Sequence, residues 1–265
     1  MKKEPISLIE EWDKIAPKWA EAVREKGDIY REFYSLPAIL KVLGNIKGKK
    51  ILDLGCGEGY NTRILAQKDI QELVGIDGSY KMIELAQKSE KEKPLGIKYY
   101  CSDAGRMKVL KDSYFDIVVS FMAIMDMEKF FPVAKEVYRV LKKQGKFIFS
   151  IPHPCFTTMP GHVWWIKEGD YQYRGVDNYS KREKQNLEFT LGAGKYNLGR
   201  MTVLHRTLSD YINPFAKAGL FISKLYEPIP TNEQVKKMPK LAKHQRIPSF
   251  MIFEMIKGDS SLRSE

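Results

Sequence analysis

From Lys50 onward the chain alternates between short apolar runs and longer stretches in which apolar residues recur every three or four positions. KILDL (50–54), ELVGID (72–77), IKYYCSD (97–103), FDIVVSF (115–121) and KFIFSIP (146–152) read as strands. Between them, NTRILAQK, SYKMIELAQKSEK and KFFPVAKEVYRVLKKQG read as helices. Strands that are apolar throughout are buried on both faces. The pattern therefore predicts an α/β fold with a doubly wound parallel sheet and helices on both sides.

The flanks differ. Within residues 5–44, Ile9, Trp12, Ile15, Ala16 and Trp19 have helical spacing, and a second short helix is expected over Ile29–Leu43, broken near Pro37. After Pro152 the rhythm stops. Residues 153–205 carry Phe156, Trp164, Trp165, Tyr171, Tyr173, Tyr179, Phe189 and Tyr196 with many glycines and no long helix. An excursion of that length is usually a functional lid or a small subdomain. TLSDYINPFAKAGLFISKLYEP (207–228) restores a helix and strand, and SFMIFEMIK (249–257) is a last strand. The expected division is 1–45 helical lid, 46–152 core, 153–206 inserted cap and 207–265 completion of the sheet.

Composition narrows the class. A chain of 265 residues, 43% hydrophobic, can bury roughly three quarters of its unfolded surface and needs no staple. Its three cysteines form no CxxC pair, so neither a zinc site nor a disulfide framework is expected, and a reducing compartment fits. The N-terminus lacks a secretory apolar core and no run is long enough to span a bilayer, which predicts a soluble cytoplasmic protein without a membrane partner. The net charge of +11 permits a nucleic-acid partner. Its lysines and arginines are scattered, however, with denser groups at 142–146, 181–184 and 236–246, which favours a solvated surface over a nucleic-acid partner.

The first strand leads into Asp53-Leu54-Gly55-Cys56-Gly57-Glu58-Gly59. A dinucleotide fingerprint would need a glycine at Tyr60, and a phosphate loop would need Gly-Lys-Ser/Thr, so the turn is built for close approach to something other than pyrophosphate. Asp77 ends the second strand, at the carboxyl edge where ligands bind. One carboxylate there can accept both hydroxyls of a ribose. Asp103 ends the third strand and could accept from an adenine amino group.

ILDLGCGEG, VGIDGSYKMIELA, YYCSDAGRM, FDIVVSFMAIMDM and EVYRVLKKQGKFIFSIPHPCF together resemble the class I S-adenosylmethionine-dependent methyltransferases, of the small-molecule, type 11-like kind. The resemblance implies a Rossmann-like seven-stranded sheet whose last strand is antiparallel. It places Gly55, Gly57 and the neighbouring Cys56 at the methionine part of S-adenosylmethionine, with Asp53 supporting the ammonium. It gives Asp77 and the adjacent Gly78 the ribose, Met82, Asp103 and Ala104 the adenine, and Phe121 and Met122 the sulfonium side. A core role for the methionine-rich run FMAIM competes with that last assignment.

Methyl transfer is mainly a matter of alignment, worth about 7–11 kcal/mol, so no motif has to reveal the acceptor. His153 and His205 are the candidate bases, against roles in fixing a turn and in packing or capping. Tyr30 and Arg31 are candidates for a lid over the cofactor, and Cys155 has no cationic neighbours that would make it nucleophilic. The expected function is methyl transfer to a small-molecule acceptor, giving S-adenosylhomocysteine. The alternatives are a tRNA or other RNA methyltransferase, although no NPPY-like tetrapeptide follows the fourth strand, and a non-catalytic cofactor-binding scaffold or sensor.

Overall fold

Residues 7–26, 28, 30–157, 159, 163–169, 171–191 and 196–258 are described by a computed structural model. The chain opens with α1 (Leu8–Lys26), makes a wide turn over Arg31–Ser35 and continues as α2 (Leu36–Leu43). Pro37 does not break a helix here. It sits in the first turn of α2, where a missing N–H costs little, and the wide turn before it absorbs the change, with Leu36 N–H donating to Arg31 O.

The core then runs β1 (Lys50–Leu54), α3 (Tyr60–Ala66), β2 (Glu72–Asp77), α4 (Tyr80–Glu92), β3 (Lys98–Cys101), β4 (Phe115–Phe121), α5 (Phe130–Val140) and β5 (Leu141–Pro152). Two hairpins follow, β6 (Val163–Glu168) with β7 (Tyr171–Val176) and β8 (Lys184–Leu191) with β9 (Tyr196–Leu204). Then come α6 (Leu208–Lys217), β10 (Leu220–Tyr226), α7 (Asn232–Lys237) and β11 (Phe250–Lys257).

Seven strands form one sheet in the order β3-β2-β1-β4-β5-β11-β10. β1 to β5 pair in parallel, and β11 runs antiparallel to both its neighbours. The fold is therefore the Rossmann-like one that the apolar rhythm and the resemblance led us to expect.

Strand periodicity divides the core. Leu52 and Leu54 point to the face covered by α5 and α6, where Phe147, Phe149, Phe215 and Phe253 stack; the Phe149 and Phe253 rings lie 4.7 Å apart. Ile51, Ile117 and Val119 point to the other face, covered by α2, α3 and α4. Chain order reverses between β1 and β4, and that switch point opens a crevice at the carboxyl edge.

Helix α1 packs on neither sheet face. Its Ala22 and Val23 are buried against Leu191 and Leu198 of the β8–β9 hairpin, and Trp12 and Trp19 meet Phe189. The aromatic insertion thus supplies a floor for the N-terminal helix. The hairpins were not evident from the sequence because β8 is half-exposed along its length and carries no continuous apolar run.

Candidate active site

The glycine turn is clipped to the sheet by two bonds, with Gly55 N–H and Cys56 N–H both donating to Ile76 O at 2.9 Å. Gly55, Gly57 and Gly59 have φ of +76°, +56° and +86°, a region costly for residues with a Cβ. Their surroundings differ. A Cβ at Gly55 would lie 2.5 Å from Ala123 Cβ, and one at Gly59 would lie 2.6 Å from the Tyr99 hydroxyl. A Cβ at Gly57 would meet nothing within 4 Å. Two of the three glycines therefore make room for the protein's own side chains, and Gly57 faces open space.

Asp77, at the end of β2, accepts Gly57 N–H through Oδ2 at 2.9 Å and Ser79 N–H through Oδ1 at 2.8 Å. Each carboxylate oxygen retains a further acceptor direction. Burial raises its pKa against those two N–H groups, and Asp13 adds to the rise. Asp53 lies beneath the turn, 1% exposed, with Oδ2 accepting the Thr62 hydroxyl at 2.6 Å and Oδ1 buried without a partner. Burial pushes its carboxyl up to about 7, with Thr62 opposing and Asp77 assisting. Burial also raises the Cys56 thiol well above its ordinary value.

These elements wall a cavity of about 800 Å³, within the ~300–1,000 Å³ usual for small-molecule sites. Gly55, Cys56, Gly57, Asp77, Gly78, Met82, Asp103, Ala104, Phe121 and Met122 all line it, as do Tyr30 and Arg31. Met122 has φ +48° and donates its N–H to Ser150 Oγ at 3.1 Å, a strained backbone held at the wall. Asp53 stands behind the turn rather than on the wall.

The two histidines are elsewhere. His153 is 3% exposed, with Nε2 on Glu227 at 2.7 Å and Nδ1 accepting Cys155 N–H at 3.3 Å. His205 is buried with Nε2 on Tyr179 O at 2.7 Å. Neither is among the cavity-lining residues. Both are held by neighbours that pin the chain entering and leaving the inserted segment.

The wall also holds groups that sequence reasoning did not assign. Trp12 and Trp19 were legible only as apolar positions of a helix. Their rings meet edge to face, 5.4 Å apart, over the cavity. Asp126 follows β4, and burial pushes its carboxyl up to about 7, with Arg206 opposing and Asp77 adding. Arg206 fixes that loop by donating to Met125 O at 2.5 Å and Met127 O at 2.7 Å. Nothing in MDM distinguishes this acid from a surface one.

Side-chain contacts fasten α1 across the cavity mouth. Glu11 accepts Thr202 N–H at 2.6 Å and its hydroxyl at 2.8 Å. Asp13 accepts the Ser79 hydroxyl at 2.6 Å, and Arg24 pairs with buried Glu58 at 3.1 Å. A Cβ at Gly78 would come within 3.0 Å of Ile9.

An open, doubly wound sheet with a glycine turn, an acid at the end of β2 and a cavity at its switch point is an arrangement in which α/β enzymes bind nucleoside cofactors. Residues 52–149 match the family described as "Methyltransferase domain". An S-adenosylmethionine-dependent methyltransferase from Mesorhizobium loti is similar in structure, with TM-score 0.69 and 26% identity, covering 83% of this chain and 96% of that one. An uncharacterized protein of Haemophilus influenzae is 29% identical over 204 residues, 75% of this chain and 77% of its own length. The ubiquinone biosynthesis O-methyltransferase of Coxiella burnetii is 32% identical over 142 residues, 51% of this chain and 58% of that enzyme, so the match spans little more than half of it. Residues 52–149 thus carry a methyltransferase domain, within a fold shared with S-adenosylmethionine-dependent methyltransferases. Among the described residues, no helix is long and apolar enough to cross a membrane.

Proposed function

We propose that this protein transfers a methyl group from S-adenosylmethionine to a small-molecule acceptor taken inside the cavity. The observation that carries this reading is the roof. Helix α1 is tied to β9 through Glu11 and Thr202 and to the glycine turn through Arg24 and Glu58, so that a cavity of about 800 Å³ lined in part by aromatic rings lies beneath a tethered helix. A chamber of this kind suits a ligand that can be engulfed. A base within a folded RNA would require the strap to release.

The residues present fit the cofactor. Asp77 has a free acceptor direction on each oxygen for the two ribose hydroxyls, and Gly57 opens a path for close approach. Buried Met82 offers an apolar, polarizable surface for the adenine, and Asp103 and Ala104 stand at its edge. Orphaned Asp53 Oδ1, behind the turn, suits support of an ammonium through the turn or a water. Bound there, S-adenosylmethionine would supply an electrophilic methyl group with a good leaving group.

The protein's own work is orientation and removal of the acceptor's proton. Trp12 and Trp19, set edge to face, give an acceptor an apolar aromatic corner and a weak attraction for positive charge. Asp126, on the wall with its carboxyl raised toward neutrality, is the group suited to take that proton. His153 and His205 serve the turn and the packing instead. A scaffold without turnover would have the same cofactor residues, so turnover decides between the two.

The test is methyl-labelled S-adenosylmethionine offered with amines, phenols, carboxylic acids and thiols, and in parallel with total tRNA at low and moderate salt. Label in a small molecule with S-adenosylhomocysteine released supports the reading. Label in tRNA, falling steeply with salt, overturns the substrate class in favour of RNA. Cofactor binding with no label in either pool favours the scaffold.

A further inference from the structure

Two indole rings and one carboxyl group come together where α1 meets the loop after β4. Trp12 and Trp19 share one face of α1, stand with their planes 89° apart and both line the cavity. Phe189 of β8 fixes the pair, stacking on Trp19 at 6.0 Å and meeting Trp12 edge to face at 5.8 Å. Asp126 lines the same cavity from the short turn over Ile124–Asp126. The Trp12 side chain reaches its carboxyl as a hydrogen-bond donor, which ties the acid to the aromatic corner.

The basic residue beside this acid has other work. Arg206 gives Nη1 to Met125 O at 2.5 Å and Nη2 to Met127 O at 2.7 Å, and its guanidinium lies over the Phe130 ring at 4.4 Å. Those donors brace the turn. Asp126 therefore keeps acceptor capacity for a ligand. A corner of two π faces and a carboxyl group has one chemical complement. The rings attract positive charge and the acid accepts an N–H, whereas a carboxylate ligand is repelled and a neutral hydroxyl gains little from the rings.

We propose that the methyl acceptor is an amine, bound as its ammonium with its carbon substituents against Trp12 and Trp19 and an N–H directed at Asp126. This rests on the small-molecule reading above and names the class of acceptor. Asp126 takes the ammonium proton and leaves a lone pair on nitrogen. That pair forms the new N–C bond while the C–S bond breaks, and the C–S electron pair stays on sulfur, which becomes a neutral thioether. The positive charge ends on nitrogen, where the aromatic corner stabilises it.

The experiment titrates the protein loaded with S-adenosylhomocysteine with benzylamine and benzyl alcohol, a pair differing in charge at one shared frame. Wild type, Asp126→Asn and Trp19→Leu are compared by calorimetry, with urea midpoints reporting the fold. Wild type is expected to bind the amine at least about tenfold more tightly than the alcohol. Asp126→Asn, of the same shape, is expected to bring the two within about threefold, and Trp19→Leu to fall between. An Asp126→Asn variant that keeps the preference overturns the assignment, as does a wild type that binds the two alike or neither. Amine binding seen only without S-adenosylhomocysteine gives the corner to the cofactor and overturns it too. Methyl label transferred to an alcohol, acid or thiol but not to the matching amine overturns the amine class while leaving the small-molecule reading standing. Label in tRNA alone overturns that reading, and this inference with it.

Discussion

Replacing Asp77 with alanine removes one carboxylate that has two sets of partners. Inside the protein it accepts Gly57 N–H at 2.9 Å and Ser79 N–H at 2.8 Å, so it holds the left-handed Gly57 turn against the start of α4. Leaving those donors unpaired costs ~1–3 kcal/mol each if they stay dry. Because Asp77 lines a cavity that water can enter, about 2 kcal/mol in total is the reasonable expectation. Toward the ligand, its two remaining acceptor directions would, on the proposed reading, meet two ribose hydroxyls, and hydrogen bonds to a charged group are worth ~1.5–3 kcal/mol each. Losing both weakens binding by about 3 kcal/mol, or roughly a hundredfold. Calorimetric titration with S-adenosylhomocysteine reads the second effect, and urea unfolding of the apo protein reads the first. A variant that is folded at the titration temperature and binds within threefold of wild type would refute the ribose role. A lowered unfolding midpoint with unchanged affinity would show that Asp77 serves the turn alone.

Asp53 makes stability depend on pH in the direction opposite to a salt-bridged carboxylate. Its native pKa of about 7 stands above an unfolded value of ~3.9, so between roughly pH 4 and 7 the native state holds more protons and stability falls as pH rises. Asp53→Asn should flatten that decline in urea unfolding measured from pH 5 to 8; an unchanged slope would count against the burial argument. Gly55→Ala should destabilise more than Gly57→Ala. Both incur the left-handed penalty of ~1–2 kcal/mol, but only the Gly55 variant drives a methyl to 2.5 Å from Ala123, adding ~1–3 kcal/mol. Equal losses would show that the loop after β4 yields freely. Glu11→Ala should cost ~1–3 kcal/mol by stranding Thr202 N–H and its hydroxyl. Hydrogen exchange should rise in α1 and β9 and stay unchanged in β1 and β4; uniform acceleration would argue against a separable strap.

The sequence by itself determined the sheet and one side of the site. β1, β2 and β4 appear at the residues their apolar runs occupy, because a strand buried on both faces must be apolar throughout, and that signal is local. The turn and the acids at 77 and 103 were legible for a related reason: chain order alone brings parallel strand ends to one edge. Other features depended on distant partners. Tertiary packing decided that Gly55 and Gly59 make room for Ala123 and Tyr99, residues about 68 and 40 positions away. Packing also decided that His153 and His205 face Glu227 and Tyr179 rather than the cavity. The roof belongs to the same category. Trp12 and Trp19 have the spacing of ordinary core positions, and only the β8–β9 hairpin makes them cavity wall. The state of Arg31, whose Nε and Nη2 are buried without a hydrogen-bond partner, is not a property of its neighbours in the chain. A guanidinium is satisfied or idle according to which carboxylates reach it in space, and here Arg24 reaches Glu58 first.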